Sequence, residues 1–131
     1  IDGTLAKMES RSPFDWLKVG EDKPNKAIVD ILNMFTCCCS TYEVFIFSGR
    51  DEVCRELTEN WLHDNGIQFK ALFMRPKGDI RKDSIVKKEL FDNNIAGEYE
   101  VLAVFDDRQQ VVDMWRNELG LTCLQVQEGN F

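Results

Sequence analysis

Histidine is nearly absent from this 131-residue sequence, and cysteine is present in a form that suits no known framework. His63 stands alone, and none of Cys37, Cys38, Cys39, Cys54 and Cys123 has the CxxC spacing of a zinc site. One histidine leaves little room for imidazole-based metal or triad chemistry, and His63 falls in a polar helical stretch that assigns it to the surface. Three adjacent thiols fit neither disulfide pairing nor a metal cage, so the cysteines are read as reduced and the chain as cytoplasmic. No apolar run reaches the roughly 18–20 residues of a membrane span, and no signal peptide is visible. The GxxxxGK[ST] phosphate loop is missing too, so these residues hold no kinase site. Basic charge is in deficit. A net charge of −7 argues against non-specific wrapping of nucleic acid, while leaving open a local basic site.

What is present is an alternation of two periodicities. Short apolar runs rich in β-branched and aromatic residues, "YEVFIF" (42–47), "IQFKALF" (67–73), "VLAVF" (101–105) and "TCLQV" (122–126), read as strands. Amphipathic stretches at 25–35, 51–65, 83–95 and 108–119 read as helices. Pro24, Gly66, Asp83 and Gly120 stand where helix boundaries need them. Strand–helix alternation predicts an α/β fold, a Rossmann-like, mostly parallel sheet with helices on both faces. With no repeats, linkers or low-complexity tracts, residues 1–131 read as a single domain. Trp61 and Trp115 suit its core, with a subunit interface as the alternative.

In such a sheet, ligands bind beyond the carboxyl ends of the strands. Ser48-Gly49-Arg50 follows "FIF", and Asp106-Asp107-Arg108 follows "LAVF". A strand ahead of Ile1 would set Asp2-Gly3-Thr4 on the same edge. Each segment alone is an ordinary turn, cap or loop; their joint placement is what points to function. Carboxylates brought together repel one another unless a cation is present. Mg²⁺ suits a few carboxylates supplemented by water and phosphate oxygens. A serine hydroxyl and basic side chains complete a site for metal-assisted phosphoryl transfer, where positioning and electrostatics carry the catalysis.

The same segments carry a family resemblance. "IDGTL" resembles the tail of the DxDGT signature of haloacid-dehalogenase-type phosphatases, and "FIFSGR" and "VFDDR" resemble two further motifs of that family in their order. "DGTLAKMESRSPFDW", "RPKGDIRKDSIVKKELF", "FDDRQQVVDMWR" and "LQVQEGNF" are similar to the 3′-phosphatase domain of phage-type polynucleotide kinase-phosphatases, across nearly the whole chain. The resemblance implies the haloacid-dehalogenase fold with a minimal cap, since residues 4–24 are too few for a large lid. It sets the nucleophile immediately before Ile1, so the expectation is a domain shown here without its first strand and that residue.

Roles follow from the resemblance. Asp2 would be the general acid–base, its backbone carbonyl a Mg²⁺ ligand, with Gly3 and Thr4 shaping the turn. Asp106 and Asp107 would hold the metal, one directly and the other directly or through water. Ser48 would bind the transferring phosphate, and Arg50 would clamp substrate or brace the acids. Arg11 would bind the substrate phosphate or a flanking one. Lys82 and Lys87 compete for the lysine that offsets phosphate charge, and the phage-type motif favours Lys87. Asp83 would orient a basic side chain or simply cap a helix, and Asp22 is a weaker substrate-site candidate.

Residues 75–88 hold six basic residues against two acidic ones, a concentration that fits the phosphates of a DNA or RNA 3′ end or, more plainly, a solvated face. The function expected is a Mg²⁺-dependent polynucleotide 3′-phosphatase, acting through an aspartyl-phosphate and extending to 2′,3′-cyclic phosphates, in nucleic-acid end repair. A kinase domain upstream and an oligomer are compatible with it, as is the host cytoplasm if the gene is a phage's. Two rivals stand beside it: a small-molecule phosphatase on the same core, and a non-catalytic module that binds 3′-phosphate ends.

Overall fold

A computed structural model describes residues 1–7, 9, 11–37 and 41–131, so Cys38 and Cys39 lie outside the described residues. Two compact units emerge, Ile1–Asp79 and Ile80–Phe131. None of the described cysteines is in a disulfide, and no described helix is long and apolar enough to cross a membrane.

The first unit opens with a tight turn. The Ile1 carbonyl accepts from the amides of Thr4, Leu5 and Ala6 at 3.1, 2.8 and 3.0 Å, and Gly3 N donates to Ala6 O at 2.9 Å. Gly3 has φ 77°, a left-handed conformation that a side chain would strain. Strand β1 (Ala6–Lys7) then pairs antiparallel with β2 (Lys23–Pro24), flanking an excursion that carries a 3-10 turn, Trp16–Glu21. Two-residue strands have no periodicity to read, so this hairpin has no counterpart in the sequence analysis.

Helix α1 (Lys26–Cys37) buries Val29 and Leu32, three residues apart on one face. Strands β3 (Phe45–Asp51) and β4 (Ala71–Arg75) run parallel, with Phe45 opposite Ala71 and Ser48 opposite Met74. The expected strand 42–47 is thereby corrected: it starts later and continues through Ser48-Gly49-Arg50, which were expected to follow it. Hydrogen bonding to β4 outlasts the apolar run, with an irregularity between Ser48 and Asp51. Strand alternation then puts Ile46, Ser48 and Arg50 on one buried face. Asp51 caps the next turn, accepting from Val53 N at 2.8 Å, so the helix expected over 51–65 begins as a 3-10 turn, Glu52–Cys54. Its α-helical part, α2 (Arg55–Asp64), ends in a Schellman pair, Gly66 N to His63 O and Ile67 N to Leu62 O, with Leu62 and Ile67 both buried. His63 is exposed, and Trp61 is in the core.

The second unit comprises α3 (Asp83–Asn94), β5 (Val104–Asp106), α4 (Gln109–Asp113) and β6 (Cys123–Gln125). Between α4 and β6 the helix widens into a π-turn, Met114–Glu118. Lys82, not Asp83, stands at the N-cap of α3, without a side-chain capping bond. Strands β5 and β6 are parallel, Asp106 facing Gln125 at the carboxyl end of the pair. The core gathers Val86, Phe91, Val111, Val112 and Met114 around Trp115, whose ring meets Phe91 edge-on at 5.6 Å. In each unit a helix joins the two members of a parallel pair, the crossover that parallel strands require. The chain is thus mixed α/β, with helical boundaries close to those the sequence implies.

Candidate active site

In the first unit, two carboxylates and two guanidiniums interlock. Arg50 leaves β3 with no exposed side-chain surface, donating through Nε to both oxygens of Asp2 at 3.1 Å and through Nη2 to Asp2 Oδ1 at 2.6 Å. Nη2 also reaches Asp22 Oδ2 at 2.9 Å, and Nη1 donates to Thr58 Oγ1 at 3.2 Å. Arg11 completes the quartet. Its Nε and Nη2 grip the two Asp22 oxygens at 2.8 and 2.7 Å, and Nη2 reaches Asp2 Oδ1 at 3.0 Å. The Asp22 carbonyl accepts from Trp61 Nε1 at 2.7 Å, fixing the end of the excursion.

Only Asp2 in this quartet keeps a solvent-facing side chain, 24% exposed against 2% or less for the others. Burial pushes its pKa up, but the hydrogen bond and charge of Arg50, with the charge of Arg11, outweigh that and hold it below the usual carboxylate value. Ser48 is buried beside Arg50, its Oγ accepting Arg50 N at 3.1 Å, which leaves the hydroxyl proton to donate.

The second unit builds a different cluster. Lys87, on α3, sets Nζ 2.9 Å from Asp106 Oδ2 and 3.5 Å from Asp83 Oδ2, one helical turn away. Trp115 Nε1 donates to Asp106 Oδ2 at 3.3 Å. The amide of Asp107 donates to Asp106 Oδ1 at 2.9 Å. Arg108 Nη1 lies 3.8 Å from Asp83 Oδ2. Asp83, Asp106, Asp107 and Lys87 are all buried. Burial lowers the Lys87 pKa, yet the charges of Asp106 and Asp83, the Asp106 bond and the charge of Asp107 drive it well above its usual value. Burial likewise opposes ionisation of Asp106, but the charge and bond of Lys87 and the Trp115 bond hold its pKa low. Burial and the Asp106 charge push the nearby Cys123 thiol up to about 11, so it is protonated and unreactive at neutral pH.

The structure therefore gathers Asp2, Arg11, Asp22, Ser48 and Arg50 in one unit, and Asp83, Lys87, Asp106 and Asp107 in the other. Lys82 is exposed at the head of α3 and joins neither cluster. The run of basic residues at 75–88 is largely spent on internal partners. Arg75 donates to the carbonyls of Gly49 and Asp79, Arg81 pairs with Glu89, Lys88 pairs with Asp92, and Lys87 is buried. Sequence reasoning overlooked Thr58 and the indoles of Trp61 and Trp115. A buried indole needs an acceptor, which was the available signal for both tryptophans; Thr58 offered none.

Among the described residues, no group of three or more His, Cys, Asp or Glu side chains forms a metal set. The donor chemistry of the second cluster nevertheless fits Mg²⁺. Adjacent buried carboxylates, Asp106 and Asp107, supply hard oxygens.

Over residues 1–131 the chain matches the family described as the polynucleotide kinase PNKP phosphatase domain, and it belongs to that family. It is similar to a putative bifunctional polynucleotide kinase/RNA ligase of Autographa californica nuclear polyhedrosis virus, 39% identical over 119 residues, covering 89% of this chain and 17% of the viral protein. Among solved structures it is similar to a chain of the Pnkp1/Rnl/Hen1 complex, with a TM-score of 0.95 and 43% identity over 100% of this chain and 45% of that one. A chain of the Pnkp1/Rnl/Hen1 RNA repair complex gives the same TM-score and identity, with 42% of that chain covered. The sequence thus spans less than half the length of each relative.

Proposed function

We propose that residues 1–131 belong to one phosphatase domain that removes 3′-phosphates from DNA or RNA ends, and acts on 2′,3′-cyclic phosphates as well, during nucleic-acid repair. The observation that carries this reading is Asp2, held by two buried arginines yet open to solvent on its own. In this reading the nucleophile is the aspartate that the family pattern sets one position before Ile1. At a 3′-phosphate end its carboxylate attacks phosphorus, the bond to the ribose 3′ oxygen breaks, and that oxygen takes the Asp2 proton. Water then attacks the aspartyl-phosphate while Asp2 removes its proton.

The low pKa of Asp2 suits the second half, where a base is needed. For the first half, a phosphate dianion arriving beside Asp2 raises its pKa and favours the protonated acid. Arg11 and Arg50 are committed to carboxylates, so the geometry supports bracing in preference to direct phosphate binding. Ser48 orients a phosphate oxygen with its remaining proton. Asp106 and Asp107 would hold Mg²⁺, which when bound would neutralise charge on the phosphoryl oxygens. Lys87 keeps Asp106 ionised and adds positive charge, and Asp83 fixes Lys87. A polynucleotide kinase and an RNA ligase are the partners that the relatives' names suggest.

The test is phosphate release by the full-length protein from a 3′-phosphorylated oligonucleotide, with a mononucleotide alongside. Mg²⁺-dependent release favouring the oligonucleotide, reduced about 10²–10⁴-fold by Asp2→Asn, is expected. Equal turnover of the mononucleotide would point to a small-molecule phosphatase. Tight binding of 3′-phosphate ends without turnover would point to an end-binding module.

A further inference from the structure

The carboxylate pair at the end of β5 is held from behind by the last residues of the sequence. Val126 N donates to Asp106 O at 3.0 Å, and Gln125 Nε2 donates to Asp107 O at 3.0 Å. Gln109 N donates to Gly129 O at 2.8 Å. Arg108 Nε reaches Phe131 O at 3.0 Å, its guanidinium lying 5.0 Å from the Phe131 ring centre. At the middle of this strap sits buried Gly129. A Cβ there would fall 2.3 Å from Asp107 O, 2.7 Å from Asp107 C and 2.9 Å from Arg108 Cα. Those are backbone atoms, with no rotamer by which to retreat. Any side chain at 129 must push the Asp107–Arg108 backbone away or lift the strap off it.

We infer that Gly129 is a positioning residue: by allowing backbone-to-backbone contact, it sets the placement of the Asp106–Asp107–Arg108 turn and hence the divalent-cation affinity of its carboxylates. The inference rests on the proposed role of Asp106 and Asp107. Partners that orient metal ligands from behind typically change affinity about 10–100-fold when altered. A glycine that served only the fold would instead change stability equally with and without the metal.

The experiment compares the full-length wild-type protein with Gly129→Ala and the milder Gln125→Ala. Folding is followed by thermal melts in chelator, Mg²⁺ affinity by calorimetry, and phosphate release as a function of Mg²⁺. Gly129→Ala is expected to weaken Mg²⁺ binding about tenfold or more. Its phosphate release should recover as Mg²⁺ is raised, an apparent KM effect on the metal with kcat largely kept. Gln125→Ala should shift affinity in the same direction, by about threefold. A folded Gly129→Ala variant with wild-type Mg²⁺ affinity overturns the inference alone. If that variant does not fold, hydrogen exchange on the wild type decides. Mg²⁺ should slow exchange at the Gln109 and Val126 amides, and unchanged rates overturn the inference. A wild-type protein that binds no Mg²⁺ overturns the reading beneath it as well.

Discussion

Both units ionise buried carboxylates, and they do so with different cations. In the first, two aspartates face two arginines, the charges cancel, and each planar fork bridges both acids. In the second, Lys87 is a point charge among Asp83, Asp106 and Asp107, with Arg108 at the edge. A balanced, bidentate network fixes one side chain's geometry, here Asp2. A cluster of buried carboxylates around one point charge offers hard oxygens of the kind Mg²⁺ prefers. In the proposed reading, the choice between arginine and lysine separates a rigid acid–base group from a metal-binding one.

The harshest way to break the comparison is Arg50→Met. It leaves Asp22 buried with only Arg11 for a charged partner, and stability should fall by about 3–5 kcal/mol in chemical unfolding. Lys87→Met should cost a similar amount in chelator, for the same reason. The two should part on adding Mg²⁺: the Lys87 variant should regain much of its stability and the Arg50 variant little. Asp22→Asn keeps the shape of the first network but halves its negative charge; a loss of about 1–3 kcal/mol is expected, read from the same unfolding curves. Trp115→Phe keeps the ring against Phe91 and removes one long bond to Asp106, so about 1 kcal/mol is expected.

The pH limbs sharpen the contrast most gently. Asp2 and Asp106 have folded pKa values below the unfolded 3.8, so the stability they add is present above that pH and lost as pH falls through their folded values. Lys87 has a folded pKa above the unfolded 10.5, so its contribution is full below that pH and lost as pH rises through the folded value. Melting temperatures across pH should show both clusters weakening in acid. In alkali the lysine cluster should weaken first, because Arg11 and its partners lose their contribution only at still higher pH, and Lys87→Met should lack that earlier limb.

Much of this architecture was legible because periodicity survives in long elements. The helices α1 and α3 lie within two residues of their expected limits, since amphipathic spacing marks them directly. The end of β3 was not legible. Ser48 and Arg50 read as polar loop residues, yet they remain in the strand because buried partners satisfy them. Asp22 ranked low for a similar reason: nothing local in the sequence tells that it will meet Arg11 and Arg50. Thr58 and Trp115 take their roles from bonds across 8 and 9 residues, distances at which a single sequence is silent. The β1–β2 hairpin was too short to leave a pattern. Conversely, the basic run at 75–88 was conspicuous in sequence, while most of its charges are consumed by neighbours.

The most direct test of the division of labour is Mg²⁺ binding and phosphate release measured side by side for Asp2→Asn and Asp106→Asn in the full-length protein. Asp2→Asn should leave Mg²⁺ affinity within about twofold while suppressing release by about 10²–10⁴. Asp106→Asn should weaken Mg²⁺ binding tenfold or more. Equal loss of Mg²⁺ affinity in both variants, or wild-type affinity in Asp106→Asn, would contradict the account.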